Sequence, residues 1–219
     1  MANKKICVVL AGCGVYDGAE IQEAVLTLLA LERGGASVTC AAPNINQMHV
    51  INHLTGEVTS ETRNVLVESA RIARGAVQEL STIDASQFDG IIFPGGFGVA
   101  KNLCTFAVDG ALCSVNPDIE RVLRDFAAAG KVIGGLCIAP ALLAKVLGSS
   151  GVTVTIGTDE GTAAEIEKTG AKHQALPVDG VSIDTAHKVV TTPAYMLGQS
   201  VGEVAVGVEK MVAEFLRLA

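Results

Sequence analysis

The chain of 219 residues is 49% hydrophobic and only 18% charged, which supports one buried core and excludes a disordered tail protein. Sixteen basic against 23 acidic residues give a net charge of −7, with no basic run beyond Lys4-Lys5, so neither nucleic acid nor membrane is expected as a partner. The richest uncharged stretch, 132–144, is shorter than the ~18 residues of a membrane span and is interrupted by Gly134, Gly135 and Pro140.

Short β-branched runs alternate with segments of helical period from end to end. Residues 5–11 read as a strand, and 19–33 as a helix with Ile21, Val25, Leu28 and Leu29 as its apolar stripe. Gly34-Gly35 ends that helix, and 38–42 is the next strand, stopped by Pro43. From 44 to 83 the pattern is less regular, with a hairpin-like pair at 49–53 and 56–58 and a helix around 62–74. Residues 90–93 form a buried strand ending at Pro94-Gly95-Gly96. Asn116 as N-cap and Pro117 at the first position open a helix that runs to 129.

Residues 132–136 are a strand, 140–147 a helix, 152–156 a strand and 162–168 a short helix. Strands follow at 181–183 and 188–191. The last helix, 198–218, has a stripe of Val201, Val204, Val208, Met211, Val212 and Phe215. This alternation implies βαβ units and an α/β fold whose mostly parallel sheet is covered by helices on both faces. With no repeat and no linker, residues 1–219 make one domain.

Gly134-Gly135-Leu136-Cys137-Ile138-Ala139-Pro140-Ala141 runs from a strand straight into a helix, with small residues around one Cys. That is the pattern of a nucleophile elbow, in which the helix dipole favours the thiolate. A buried Cys at an ordinary strand–helix junction, with glycines for close packing, explains the same residues. Gly95, Gly96 and Gly98 follow a buried strand, where bare N–H groups suit an oxyanion hole or merely turn the chain. Glu20 and Glu23, in a helix's first turn, either offset its dipole or lean a carboxylate toward a sulfur.

Gly12-Cys13-Gly14 fails the dinucleotide fingerprint because Asp17 holds the third glycine position. The cysteines at 7, 13, 40, 104, 113 and 137 include no CxxC pair. With no secretory signal read at the start, the cytoplasm or a mitochondrial matrix is the expected compartment. His49 and His53 lack a third ligand, so no metal or other cofactor is expected, and His173 and His187 read as surface loop residues.

Three of these motifs occur in a familiar order: Gly18-Ala19-Glu20-Ile21-Gln22-Glu23, then Pro94-Gly95-Gly96-Phe97-Gly98-Val99-Ala100-Lys101-Asn102-Leu103, then Gly135-Leu136-Cys137-Ile138-Ala139-Pro140. Together they resemble the class I glutamine-amidotransferase-like superfamily, in the branch that holds the Parkinsonism-associated deglycase and the PfpI-type peptidases. Gly12 to Gly18, Val50 to Glu57, Thr62 to Leu66 and Thr191 to Leu197 extend the likeness over the whole chain. They resemble the enhancing-lycopene-biosynthesis (isoprenoid biosynthesis, glyoxalase-like) proteins.

The resemblance implies a flavodoxin-like three-layer sandwich and a homodimer. It implies Cys137 as nucleophile, Glu23 as the buried carboxylate bonded to its thiol, and the backbone of Gly95, Gly96 and Ile138 as oxyanion donors. The family's His slots are empty, since Ile138 follows the Cys and Ile156-Gly157-Thr158 stands farther on. Peptidase and glutaminase chemistry, which need an imidazole for the leaving amine, are therefore disfavoured. His53 and Asn102 remain candidates for the pocket, His53 either as a replacement acid/base or as the residue that orders its own loop. The implied reaction is cofactor-free conversion of glyoxal or a related small aldehyde or dicarbonyl to the hydroxy acid. The alternatives are a thiol-redox sensor or regulatory module and an amidotransferase half that feeds a synthetase.

Overall fold

In the computed structural model, which describes residues 3–219, strand β1 (Lys5–Val9) alternates its side chains between two cores. Cys7 and Val9 enter one, Ile6 and Val8 the other, as a period of two requires when both faces are covered. The same alternation continues in β2 (Ser37–Ala42), β4 (Gly90–Phe93) and β5 (Val132–Leu136), while the short edge strand β3 (Val77–Glu79) is largely exposed. A separate pair, β6 (Thr153–Val154) and β7 (Lys172–His173), precedes β8 (Ser182–Asp184) and β9 (Val189–Thr192). The seven-stranded sheet has the order β3-β2-β1-β4-β5-β9-β8. All its pairs are parallel except β8 with β9.

The helices are α1 (Ile21–Arg33), α2 (Val65–Ile72), α3 (Phe106–Asp109), α4 (Pro117–Ala128), α5 (Ala139–Leu147), α6 (Glu160–Glu167) and α7 (Val201–Leu218). Ile119, Leu123, Leu142 and Leu143 of α4 and α5 fill one core. Ala24, Leu31, Val208 and Phe215 of α1 and α7 fill the other. The result is the expected flavodoxin-like three-layer sandwich. Two β5 glycines let helices close on the sheet: a Cβ on Gly134 would meet Met211 at 2.8 Å, and one on Gly135 would meet Leu143 at 2.9 Å.

Several expectations are corrected. Most of the α1 stripe faces outward, with Ile21 44% and Val25 49% exposed and Leu29 beside them; Leu28 alone packs on the core, where Glu23, Ala24, Thr27 and Leu31 are buried. Val201 at the start of α7 is likewise exposed, and the rest of that stripe is buried. The hairpin-like segment reduces to one bridge, Ile51 to Val58. The strand expected at 152–156 shrinks to β6 and pairs only with β7, outside the main sheet. The short elements β3, β7, α3 and a π-type turn at Val99–Leu103 had no sequence signal, since two to five residues do not establish a period.

From β1 the chain runs outward through β2 and β3 on one side, then returns to β4 and β5 on the other. Connections diverge at this switch, leaving a crevice outside the carboxyl ends of the strands. The segments that follow β1, β4, β5 and β9 all reach it.

Candidate active site

Cys137 is the first residue past β5. Its backbone is left-handed, with φ 58°, a conformation that costs an L-residue about 1–2 kcal/mol. Its N–H donates to Thr192 O at 3.0 Å, and the next residues enter α5, so the elbow is held from both sides. The side chain is 8% exposed.

Glu23 arrives from α1. Its backbone N–H donates to the N-cap carboxylate of Glu20 at 2.6 Å, which orients the first turn. Glu23 is fully buried. Oε2 accepts the Gly95 N–H at 2.9 Å and Oε1 the Tyr195 N–H at 3.1 Å. The carboxyl is also hydrogen-bonded to the Cys137 thiol. Burial pushes its pKa up from 4.5 to about 7; Tyr195 N–H pulls it down and the Glu20 charge pushes it further up.

Burial, and then the charge of Glu23, also push the Cys137 thiol well above its ordinary value. Gly96 and Ile138 N–H groups aim at the sulfur and oppose that rise without overcoming it. The sequence expectation of a thiolate favoured by the helix dipole is thus corrected. In a site this dry the ionisation of each group is felt by the other, and the carboxyl is the one that gives up its proton first.

The glycine loop is held by main-chain contacts. Gly95 O accepts from Glu20 N–H, Gly18 O from Gly98 N–H and Val15 O from Phe97 N–H, each at 2.8 Å. A Cβ on Gly95 would lie 2.5 Å from Cys137 Cβ and 2.7 Å from Glu23 Oε2. One on Gly96 would lie 2.4 Å from Glu20 N, and one on Gly98 2.5 Å from Gly18 Cα. The Gly95 N–H is spent on Glu23, which corrects its assignment as an oxyanion donor. The donors left beside the sulfur are Gly96 and Ile138.

Above Cys137 opens a pocket of ≈ 370 Å³ walled by Val15, Phe97, Ile138, Thr162, Tyr195 and Met196. Tyr195, whose hydroxyl donates to the Gln22 side chain, had no role in the sequence reading. It acts on Glu23 through its main-chain N–H, and a backbone donor leaves no mark in side-chain chemistry. A larger cleft of ≈ 440 Å³ lies at the opposite end of the sheet, beside Gly130, His187 and Lys188, with no thiol in its lining.

His53 and Asn102 do not line the pocket. His53 Nδ1 lies 3.0 Å from Ile51 O, and Nε2 accepts the Tyr16 N–H at 3.2 Å, so both ring nitrogens serve the loop. Asn102 Nδ2 donates to Ala11 O at 3.0 Å and Asp17 O at 2.9 Å, while Oδ1 accepts Met48 N–H at 2.8 Å. The amide pins the turn after β1 to the π-type turn. His173, expected in a loop, lies in β7 and accepts Ile156 N–H at 3.3 Å. His187 stays in the turn before β9 and bonds Asp184 at 2.8 Å.

Comparison with known families gives a match to the DJ-1/PfpI family over residues 4–198. The chain belongs to the DJ-1/PfpI family. Within reach of this family lies the human glutamine amidotransferase-like class 1 domain-containing protein 3, mitochondrial. It is 50% identical over 224 residues, covering 98% of this chain and 83% of the human one. The zebrafish ES1 protein, mitochondrial, is 40% identical over 209 residues, covering 89% of this chain and 77% of its own. Among solved structures, an isoprenoid biosynthesis protein with amidotransferase-like domain from Ehrlichia chaffeensis superposes with a TM-score of 0.92. It is 38% identical and covers 98% of this chain and 99% of its own. Drosophila melanogaster DJ-1beta, at 19% identity and a TM-score of 0.57 over 99% of this chain and 96% of its own, shares the fold. No helix among the described residues is long and apolar enough to cross a membrane.

Proposed function

We propose that this DJ-1/PfpI member is a cofactor-free, Cys137-dependent enzyme of glyoxalase or deglycase type, acting on glyoxal or a related small dicarbonyl. The observation that carries the reading is the buried Cys137–Glu23 pair under a pocket with two free backbone donors. Glu23 takes the thiol proton as the sulfur adds to one aldehyde carbon, giving a hemithioacetal. Gly96 and Ile138 N–H groups receive the new oxyanion, an interaction worth about 3 kcal/mol per donor in other enzymes.

Glu23 then moves a proton from the sulfur-bearing carbon to its neighbour, which leaves a hydroxyacyl thioester. Water cleaves that ester, releasing the hydroxy acid and the thiol. Each step uses one residue as acid and base, for which a carboxyl titrating near 7 is suited. An imidazole is not needed because no amine leaves.

A homodimer belongs to the same proposal, supported by the outward apolar face of α1. So does a reducing compartment, cytosolic or mitochondrial; two of the relatives carry "mitochondrial" in their names. The decisive measurement is glycolate formed from glyoxal. Cys137→Ala is expected to abolish it and Glu23→Gln to reduce it nearly to background. Unchanged turnover in the Cys137 variant overturns the proposal.

A further inference from the structure

Two buried thiols outside the site are neighbours. Cys104 ends the π-type turn, with its N–H and Sγ both directed at Val99 O, at 3.1 and 3.4 Å. It stands opposite Val115 in an antiparallel bridge. Thr105 N–H to Ser114 O at 3.0 Å and Asn116 N–H to Leu103 O at 2.9 Å hold that bridge. Residues two apart on an extended strand share a face, so Cys113 lies diagonally across from Cys104, and the two thiols are near enough for each to shift the other's ionisation.

Both side chains are 3% exposed, yet Leu112, the residue before Cys113, is 89% exposed. The cover is thin. Lys145, whose ammonium donates to Ala111 O at 2.8 Å, brings positive charge to this corner. The neighbouring Cys104 thiol pulls the Cys113 thiol down to about 7 against the opposing effect of burial, with Lys145 assisting. The Cys113 sulfur, and then burial, hold the Cys104 thiol up. One sulfur is thereby poised as a nucleophile and the other as its resolving partner.

We infer that Cys104 and Cys113 form a second reactive site, a dithiol that a hydroperoxide converts to a disulfide independently of Cys137. The Cys113 thiolate attacks the peroxide oxygen and hydroxide leaves, giving a sulfenic acid. Cys104 sulfur then attacks that sulfur, and its proton departs with the displaced hydroxide as water. In total two thiols lose two electrons and two hydrogens, and one hydrogen peroxide becomes two waters. Cys104 thereby gives up the hydrogen it directs at Val99, the first residue of the turn that continues the Gly95–Gly98 loop.

The test treats the intact chain with hydrogen peroxide, blocks free thiols and digests with trypsin without reductant. Cleavage after Lys101 and Arg121 releases both cysteines in one peptide, 102–121. That peptide is expected two hydrogen masses light and unalkylated, and to recover both alkylations after dithiothreitol. Cys137→Ser is expected to give the same peptide, so failure of the aldehyde chemistry leaves this inference standing. The oxidised chain is expected to melt about 5 °C higher, as a cross-link over a short loop predicts. Recovery of 102–121 alkylated at both cysteines, or carrying added oxygen without the two-hydrogen loss, at peroxide doses that oxidise Cys137 overturns the inference.

Discussion

Replacing Glu23 with Gln separates the carboxyl's charge from its shape. Burial raises this group from 4.5 to about 7 in the folded chain, whereas an unfolded Glu titrates near its ordinary ~4.3. The folded chain therefore binds more protons between these values. The group's contribution to stability is complete below the unfolded pKa and is lost as pH rises through 7. At about 1.4 kcal/mol per unit, the loss is about 1 kcal/mol at pH 5 and reaches about 4 kcal/mol by pH 8.

A glutamine does not ionise and escapes that loss, but its NH2 must face either the Gly95 or the Tyr195 N–H, both of which Glu23 now accepts. Leaving one buried donor unpaired costs about 1–3 kcal/mol. Glu23→Gln is thus expected to be between level with the parent and about 2 kcal/mol less stable at pH 5. At pH 8 it is expected to be about 1–3 kcal/mol more stable than the parent. Urea midpoints of both proteins at the two pH values measure this directly. Parallel stability profiles would refute the claim that the buried carboxyl titrates near neutrality.

Cys137→Gly is expected to be more stable than Cys137→Ala by about 1 kcal/mol, because glycine occupies the left-handed elbow at φ 58° without a Cβ penalty; paired thermal melts give the order, and an alanine variant melting higher contradicts a strained elbow. Asn102→Ala removes two buried hydrogen bonds and one partly buried one and is expected to cost about 3 kcal/mol in denaturant unfolding. Aldehyde turnover per folded molecule is expected to be retained, and its loss would return Asn102 to the pocket.

The central strands were legible because each is buried on both faces, so plain apolar runs such as Gly90–Phe93 and Val132–Leu136 declare them. The elbow was legible from the small residues packed around one Cys. The inward face of α1 was not, because it inverts the usual rule: Glu23 and Thr27 are buried while Ile21, Val25 and Leu29 meet solvent. Gly95 lies beside Cys137, but its N–H turns to Glu23, a direction that depends on a carboxylate from a distant helix. Tyr195 contributes a main-chain donor, and His53 and Asn102 have their polar atoms satisfied by local backbone, which only coordinates reveal.

The seam where Gly96 and Gly98 meet Gly18 and Glu20 is peptide against peptide. Such a joint has no side chain left to trim, so drift in sequence has no means of loosening it by degrees. Val15, Phe97, Thr162 and Met196 in the walls above are under no such restraint. Selection is then free to resize the chamber for new molecules while the reacting atoms at its floor stay in register.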